Sequence, residues 1–149
     1  MEANNYSRNF TVNLSAAEIM QKISNVPGWW GVSFTGSASN KDDNFVIEMG
    51  GDSFFNCTVS ELVPAKKIAW LVADCNMPWY KDKKEWAGTK MVFDLDEHDG
   101  STHVMFTHEG LTPDSECYVD CEPGWTHWIQ TSLVSYLTTG NGVFRKSTK

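Results

Sequence analysis

The sequence predicts an α+β fold in which one antiparallel sheet carries its helices on a single face. Three observations lead there. The middle of the chain is a succession of short runs that mostly alternate apolar and polar residues, separated by turn residues. The segments after the first run and near the C-terminus instead space their apolar residues three or four apart, the helical period. No long helix separates the middle runs, so a helix, a meander and a second helix follow one another, and the helices gather against one sheet face.

The first run, NYSRNFTVNL (Asn5 to Leu14), places Tyr6, Arg8, Phe10, Val12 and Leu14 on one face of a strand. Arg8 interrupts that face, either as an inward charge beside a cavity or as a stem packed on its rim. In SAAEIMQKI (Ser15 to Ile23), Ser15 and Glu18 form a capping box, and Leu14 and Ile19 suit a hydrophobic staple. Ile19, Met20 and Ile23 supply the apolar stripe of this helix. Pro27-Gly28 ends it, and Trp29 and Trp30 follow in a short turn.

The meander is expected to run through Val32 to Ala38, Asn44 to Gly50, Ser53 to Val63, Lys66 to Asp74, Glu85 to Glu97 and Thr102 to Leu111. The polar interruption NMPWYKDKK (Asn76 to Lys84) is placed at a sheet end. The helical period then returns in Trp125, Trp128, Ile129, Ser132, Leu133, Tyr136 and Leu137. Pro123-Gly124 marks the start of this last helix, and Gly140 and Gly142 its stop.

At 149 residues the chain is expected to form one domain, with an ordered core over about residues 6–140. Seven tryptophans are available to fill a core or line a cavity, and each buried indole N–H needs a partner. A formal charge of −7 argues against nucleic-acid binding, which rests on lysine and arginine. There is no basic segment followed by an apolar run, and no stretch approaches the roughly 18 apolar residues of a membrane span. The expectation is a cytoplasmic chain without stable membrane insertion.

Cys57, Cys75, Cys117 and Cys121 are expected to be mostly buried free thiols. Cys117 and Cys121 can share a helical face, with His108 and His127 not far along the chain. No close C-x-x-C pair or H-x-x-x-H accompanies them, so neither a metal nor a cofactor is expected. The chain also lacks a G-x-S-x-G elbow, an H-E-x-x-H motif and a glycine-rich phosphate loop, and no catalytic residue is assigned.

The order of these segments resembles the START-like, or helix-grip, superfamily, and more closely its family named after the activator of Hsp90 ATPase. The resemblance spans roughly Tyr6 to Leu137. It rests on the opening strand before SAAEIMQKI, the PGWW turn, the pair SFFNCTVSELVPAKKIAWLV, the strands KMVFDLDE and HVMFTHEGL, and the closing GWTHWIQTSLVSYL with its Gly124-Trp125. It implies a curved antiparallel sheet wrapped around a long C-terminal helix, short helices after the first strand, and a cavity between sheet and helix. In related domains that space takes lipids, sterols, polyketides or other apolar molecules. The chain is expected to hold this domain alone, without the separate Hsp90-binding region of eukaryotic co-chaperones.

Candidate ligand-binding residues follow from both lines of reasoning. Trp125, Trp128 and Ile129 lie on the closing helix, as core anchors or as cavity lining. Trp70, Phe93, Phe106 and His108 lie on strands. On the strand after Gly50-Gly51 the inward face holds either Phe54, Asn56 and Thr58 or Phe55, Cys57 and Val59, because alternation assigns faces but not which one meets the cavity. Trp29, Trp30 and Trp79 are placed near loops, where they would guard a mouth. Arg8, Asn56, His108, Glu109 and His127 are the polar candidates; His108 and Glu109, adjacent on a strand, face opposite ways and form no evident acid–base pair.

Three functions are open on this reading. One is noncatalytic binding of a small apolar or amphipathic molecule in the cavity. Another is a stress-related or chaperone-associated protein interaction. The third is a cyclase-like or hydrolytic enzyme using the same cavity.

Overall fold

The computed structural model describes residues 5–30, 33–48, 52–78 and 80–143. Strands β1 (Tyr6–Val12), β2 (Ser33–Gly36), β3 (Asn44–Glu48), β4 (Phe54–Val63), β5 (Lys67–Asn76), β6 (Lys90–His98) and β7 (Ser101–Glu109) form one curved antiparallel sheet. Its order is β1-β7-β6-β5-β4-β3-β2. The meander therefore accounts for six strands, and β1 joins at the far edge by pairing with β7, where Arg8 lies opposite Phe106. The β6–β7 hairpin turns at Asp99-Gly100, both with positive φ (53° and 82°), as a tight turn matched to strand twist requires. Register shifts at Asn56/Cys57 and Val59/Glu61 mark irregular pairing between β4 and β5, and such irregularities bend a sheet.

Helix α1 (Ala16–Ser24) begins as its sequence dictates: the Ser15 hydroxyl accepts from the Glu18 N–H at 3.2 Å. A second orphan donor, the Ala16 N–H, is satisfied from the sheet by the Glu97 carboxylate at 2.9 Å. Ala16, Ile19, Met20 and Ile23 form the buried stripe. A single 3-10 turn, Val26–Gly28, then delivers Trp29 and Trp30 into the core.

The closing helix differs from expectation at its start. It begins at Tyr118, not near Gly124, and Pro123 lies inside it. Proline withholds one N–H from the helical ladder. Helix α2 (Tyr118–Thr126) continues into a π-helical stretch, His127–Leu133, and then into α3 (Val134–Thr139). Gly140, at φ 87°, supplies the left-handed C-terminal cap. Glu85 caps the N-terminal end from another segment, accepting from the Cys117 N–H at 3.0 Å and from the Glu116 N–H. Glu85–Thr89, expected to open a strand, is instead turn structure that ends where β6 begins at Lys90.

Between sheet and helix, aromatic rings dominate the core. Trp29, Trp30 and Trp70 are mutually stacked with centroids 5.9–6.4 Å apart. Trp30 lies 5.0 Å from Trp125, and Trp125 stacks on Trp86 at 5.8 Å. Phe45, Phe93 and Phe106 close around them. Among the described residues no helix is long and apolar enough to cross a membrane.

Cys57 and Cys75 are buried free thiols, and burial raises both thiol pKa values. Cys117 and Cys121 differ from the expectation of free thiols: they form a disulfide. The i, i+4 spacing that puts two side chains on one helical face also brings these Cα atoms to 5.5 Å, within bridging range. Denatured, unreduced protein should therefore react with two equivalents of a thiol reagent, and reduced protein with four. Four before reduction would show that this bridge is absent.

Candidate functional site

A pocket of about 160 Å³ opens where α2 crosses the sheet end. The helix lines it with Asp120, Cys121, Gly124, Trp125 and Trp128. Strand β4 contributes Phe55, the 3-10 turn delivers Trp30, and the connection between β5 and β6 supplies Met77, Tyr80 and Trp86. Its walls are mostly aromatic, and Asp120 is the one charged group among the described lining residues. A second pocket, about 330 Å³, lies between α1 and the β4–β5 turn, and its walls include the polar Gln21, Ser24 and Ser39. The smaller, aromatic pocket has the composition of a ligand site, apolar walls with a few polar groups.

The floor beneath the aromatic pocket is a closed hydrogen-bond chain. The Trp125 indole N–H donates to His108 Nδ1 at 3.0 Å, so that nitrogen carries the lone pair. His108 Nε2 then holds the proton and donates to Thr89 Oγ1 at 2.8 Å. The Thr89 hydroxyl donates onward to the Trp86 carbonyl at 2.6 Å. His108 is fully buried, and burial lowers its pKa to about 3, which keeps it neutral. Both ring nitrogens are committed to positioning Trp125 and Thr89, so the ring has no lone pair or proton left for a ligand.

At the mouth, the Tyr80 hydroxyl donates to Asp120 Oδ2 at 2.8 Å. Burial raises the phenol pKa, and the bond to Asp120 and the fields of Asp120, Glu85 and Glu116 raise it further. The loop that carries Tyr80 is tied to the helix start in both directions: Glu116 accepts from the Lys81 and Asp82 N–H groups at 2.8 and 3.0 Å, and Glu85 caps the helix as described. The Trp86 indole N–H points at Cys117 Sγ, 3.3 Å away, joining the pocket wall to the disulfide.

Of the residues selected from sequence, Trp30, Trp125 and Trp128 come together on the pocket wall. His108 sits behind Trp125, not on the wall. Trp29, Trp70, Phe93, Phe106 and Ile129 are fully buried in the packed core and do not line the pocket. Trp29 does not guard a mouth: its indole N–H donates to the Ile23 carbonyl at 3.1 Å in the interior. Trp30 also leaves the surface and faces the pocket from within.

Phe54 and Asn56 lie on the half-buried side of β4, and Asn56 accepts from the Asn44 amide at 2.7 Å; the inward side is Phe55, Cys57 and Val59. Arg8 does not line the pocket: it is half-buried over the Tyr6 ring, 4.8 Å from the centroid, and paired with Glu122. Trp79 lies outside the described residues. Met77, Tyr80, Asp120, Cys121 and Gly124 were not selected from sequence. Their signal was the late-starting polar interruption and a helix whose first turns precede its proline.

The activator of Hsp90 ATPase homolog 1-like family matches residues 22–138. The chain belongs to that family. Three solved structures carry the AHSA1-like architecture seen here. The Aha1 dimer of Colwellia psychrerythraea is 24% identical, with a TM-score of 0.75 over 93% of this chain and 98% of that one. DynU16, from the dynemicin biosynthetic locus, is 14% identical at TM-score 0.69, and the match covers 95% of this chain and 49% of DynU16. The protein SSP2350 of Staphylococcus saprophyticus is 13% identical at TM-score 0.69 over 95% and 97%. No curated protein matches the chain by sequence. These likenesses establish the AHSA1-like, helix-grip fold.

Proposed function

We propose that this AHSA1-like chain binds a small apolar or amphipathic molecule, without transforming it, in the pocket between sheet and C-terminal helix. The observation that carries this reading is the pocket itself: about 160 Å³, walled by Trp30, Phe55, Trp86, Trp125 and Trp128. A cavity of about 150 Å³ suffices for a benzene-sized guest, whereas drug-sized ligands occupy roughly 300–1,000 Å³. The ligand is therefore a small molecule or a small apolar end of a larger one, not an enclosed sterol or acyl chain. Engagement of both His108 nitrogens supports the noncatalytic part of the proposal.

The family description favours a second reading, association with an Hsp90-type chaperone. Against it, the exposed large hydrophobic residues among those described are Val63, Val119 and Val143, on three different segments, and they include no aromatic ring.

The test is mass spectrometry of small molecules released from natively purified protein, beside an unfolded-and-refolded control. A stoichiometric small compound in the native sample, lost from Trp128→Ala protein that remains folded, is the expected result. Retention of the same compound by folded Trp128→Ala and Trp30→Ala proteins would remove the pocket from the proposal.

A further inference from the structure

We propose that the pocket is an aromatic cage for a small organic cation, a quaternary or alkylated ammonium group held among Trp30, Trp86, Trp125 and Trp128 with Asp120 as its counter-charge. The inference rests on the small-molecule reading above and narrows it to a charge class. Indole is the side chain that best stabilises a cation over its ring, and several aromatic walls around one small space are the known chemistry of quaternary ammonium recognition. Here four indoles and the Tyr80 phenol surround about 160 Å³, a volume suited to a tetramethylammonium-like group, which is close to benzene in size.

Charge separates this class from the neutral and anionic alternatives. Asp120 lies on the pocket wall, and among the described residues no lysine, arginine or histidine lines it. Tyr80 holds the Asp120 carboxylate at 2.8 Å, so the negative group is fixed at the mouth by a wall residue. Glu85 and Glu116 add to the negative field felt at Tyr80. Of the nearby ammonium groups, Lys84 pairs with Asp74 at 2.9 Å, Lys83 reaches the Tyr80 carbonyl at 3.4 Å, and the charges of Lys81 and Lys83 are felt at Glu116. An anion entering this space would meet a carboxylate and, among the described lining residues, no cation. A cation gains the attraction of the buried rings and of the exposed Asp120 carboxylate together.

The test compares choline with 3,3-dimethyl-1-butanol, its neutral isostere with carbon in place of nitrogen. Both are titrated into the natively folded 149-residue chain by calorimetry and by indole N–H shifts in NMR spectra. Choline is expected to bind at least about tenfold more tightly than the alcohol. Asp120→Asn, an exposed substitution that keeps an acceptor for Tyr80, is expected to weaken choline about fivefold or more and to leave the alcohol unchanged. Equal affinity for the two probes would overturn the cation inference and leave small-molecule binding standing. Choline binding that ignores both Asp120→Asn and folded Trp128→Ala would also overturn it, because the cation would then sit elsewhere. If neither probe shifts any pocket indole, the cation inference fails, and the small-molecule reading is then judged by the released-compound measurement alone.

Discussion

Trp125→Ala is expected to lower the unfolding free energy by about 3–5 kcal/mol, the usual range for truncating a fully packed indole. Only 2% of Trp125 is exposed. Its ring packs on Trp30, Trp86 and Phe106 with centroids 5.0, 5.8 and 4.6 Å away, so its removal opens a cavity lined by large, slow-to-collapse rings. It also deprives buried His108 Nδ1 of its donor, and an orphaned buried acceptor adds about 1–3 kcal/mol.

Two companion variants separate the causes. Trp125→Phe keeps much of the packing but removes the indole N–H, so its cost reports the loss of the hydrogen bond. Trp70→Phe is the control, because the Trp70 N–H has no hydrogen-bond partner among the described residues. Trp70→Phe should therefore cost less than Trp125→Phe. Trp128→Ala, at a half-buried position, should cost less than Trp125→Ala. Denaturant unfolding followed by far-ultraviolet circular dichroism measures all four without relying on the altered fluorophores. Equal costs at Trp125 and Trp128 would contradict the placement of Trp125 as the anchor.

The contrast between these two tryptophans shows where sequence reading succeeded and where it stopped. Helical spacing placed Trp125, Trp128, Ile129, Leu133 and Leu137 on one stripe. Position across that stripe decides between core and rim, and this depends on how the sheet curves beneath it. The strands were legible because Val, Ile, Phe and Trp alternate with polar residues. The phase of β4 was not: FFNCTVSELV alternates equally well either way, and only packing against Trp30 and Trp86 selects Phe55 over Phe54.

The helix start was missed because Pro123-Gly124 reads locally as a boundary. The N–H groups that precede it find their acceptor in Glu85, a residue 32 positions from Cys117. Asp120 and Cys121 joined the pocket as a consequence of that earlier start. Tyr80 and Met77 come from a stretch that sequence marks only as polar and irregular. Their placement depends on backbone bonds to Glu116, a long-range tie with no periodic signature.

Acidification should destabilise the protein before its carboxylates titrate. His108 carries the effect, because its folded pKa is lowered to about 3 while an unfolded histidine titrates near its model value of 6.5. Where the folded value is depressed, the unfolded chain binds the proton first. The contribution of His108 is thus fully present above about pH 6.5 and is lost as pH falls from there toward 3. The slope approaches about 1.4 kcal/mol per pH unit, which integrates to about 1.6 kcal/mol between pH 6.5 and 5. The lowered carboxylates of Asp43, Asp74 and Glu116 add their own losses only at lower pH, as each approaches its unfolded value of 3.8 or 4.5.

The physical cost has two parts: charging a ring with no access to water, and converting Nδ1 into a second donor that confronts the Trp125 N–H. His108→Gln removes the titration while keeping one acceptor and one donor, so its stability should be nearly flat between pH 6.5 and 5. Urea midpoints of both proteins at pH 7, 6 and 5 decide the matter. Parallel pH profiles would show that the proton goes elsewhere; a slope confined to the histidine form would assign the acid sensitivity of the pocket floor to one buried ring.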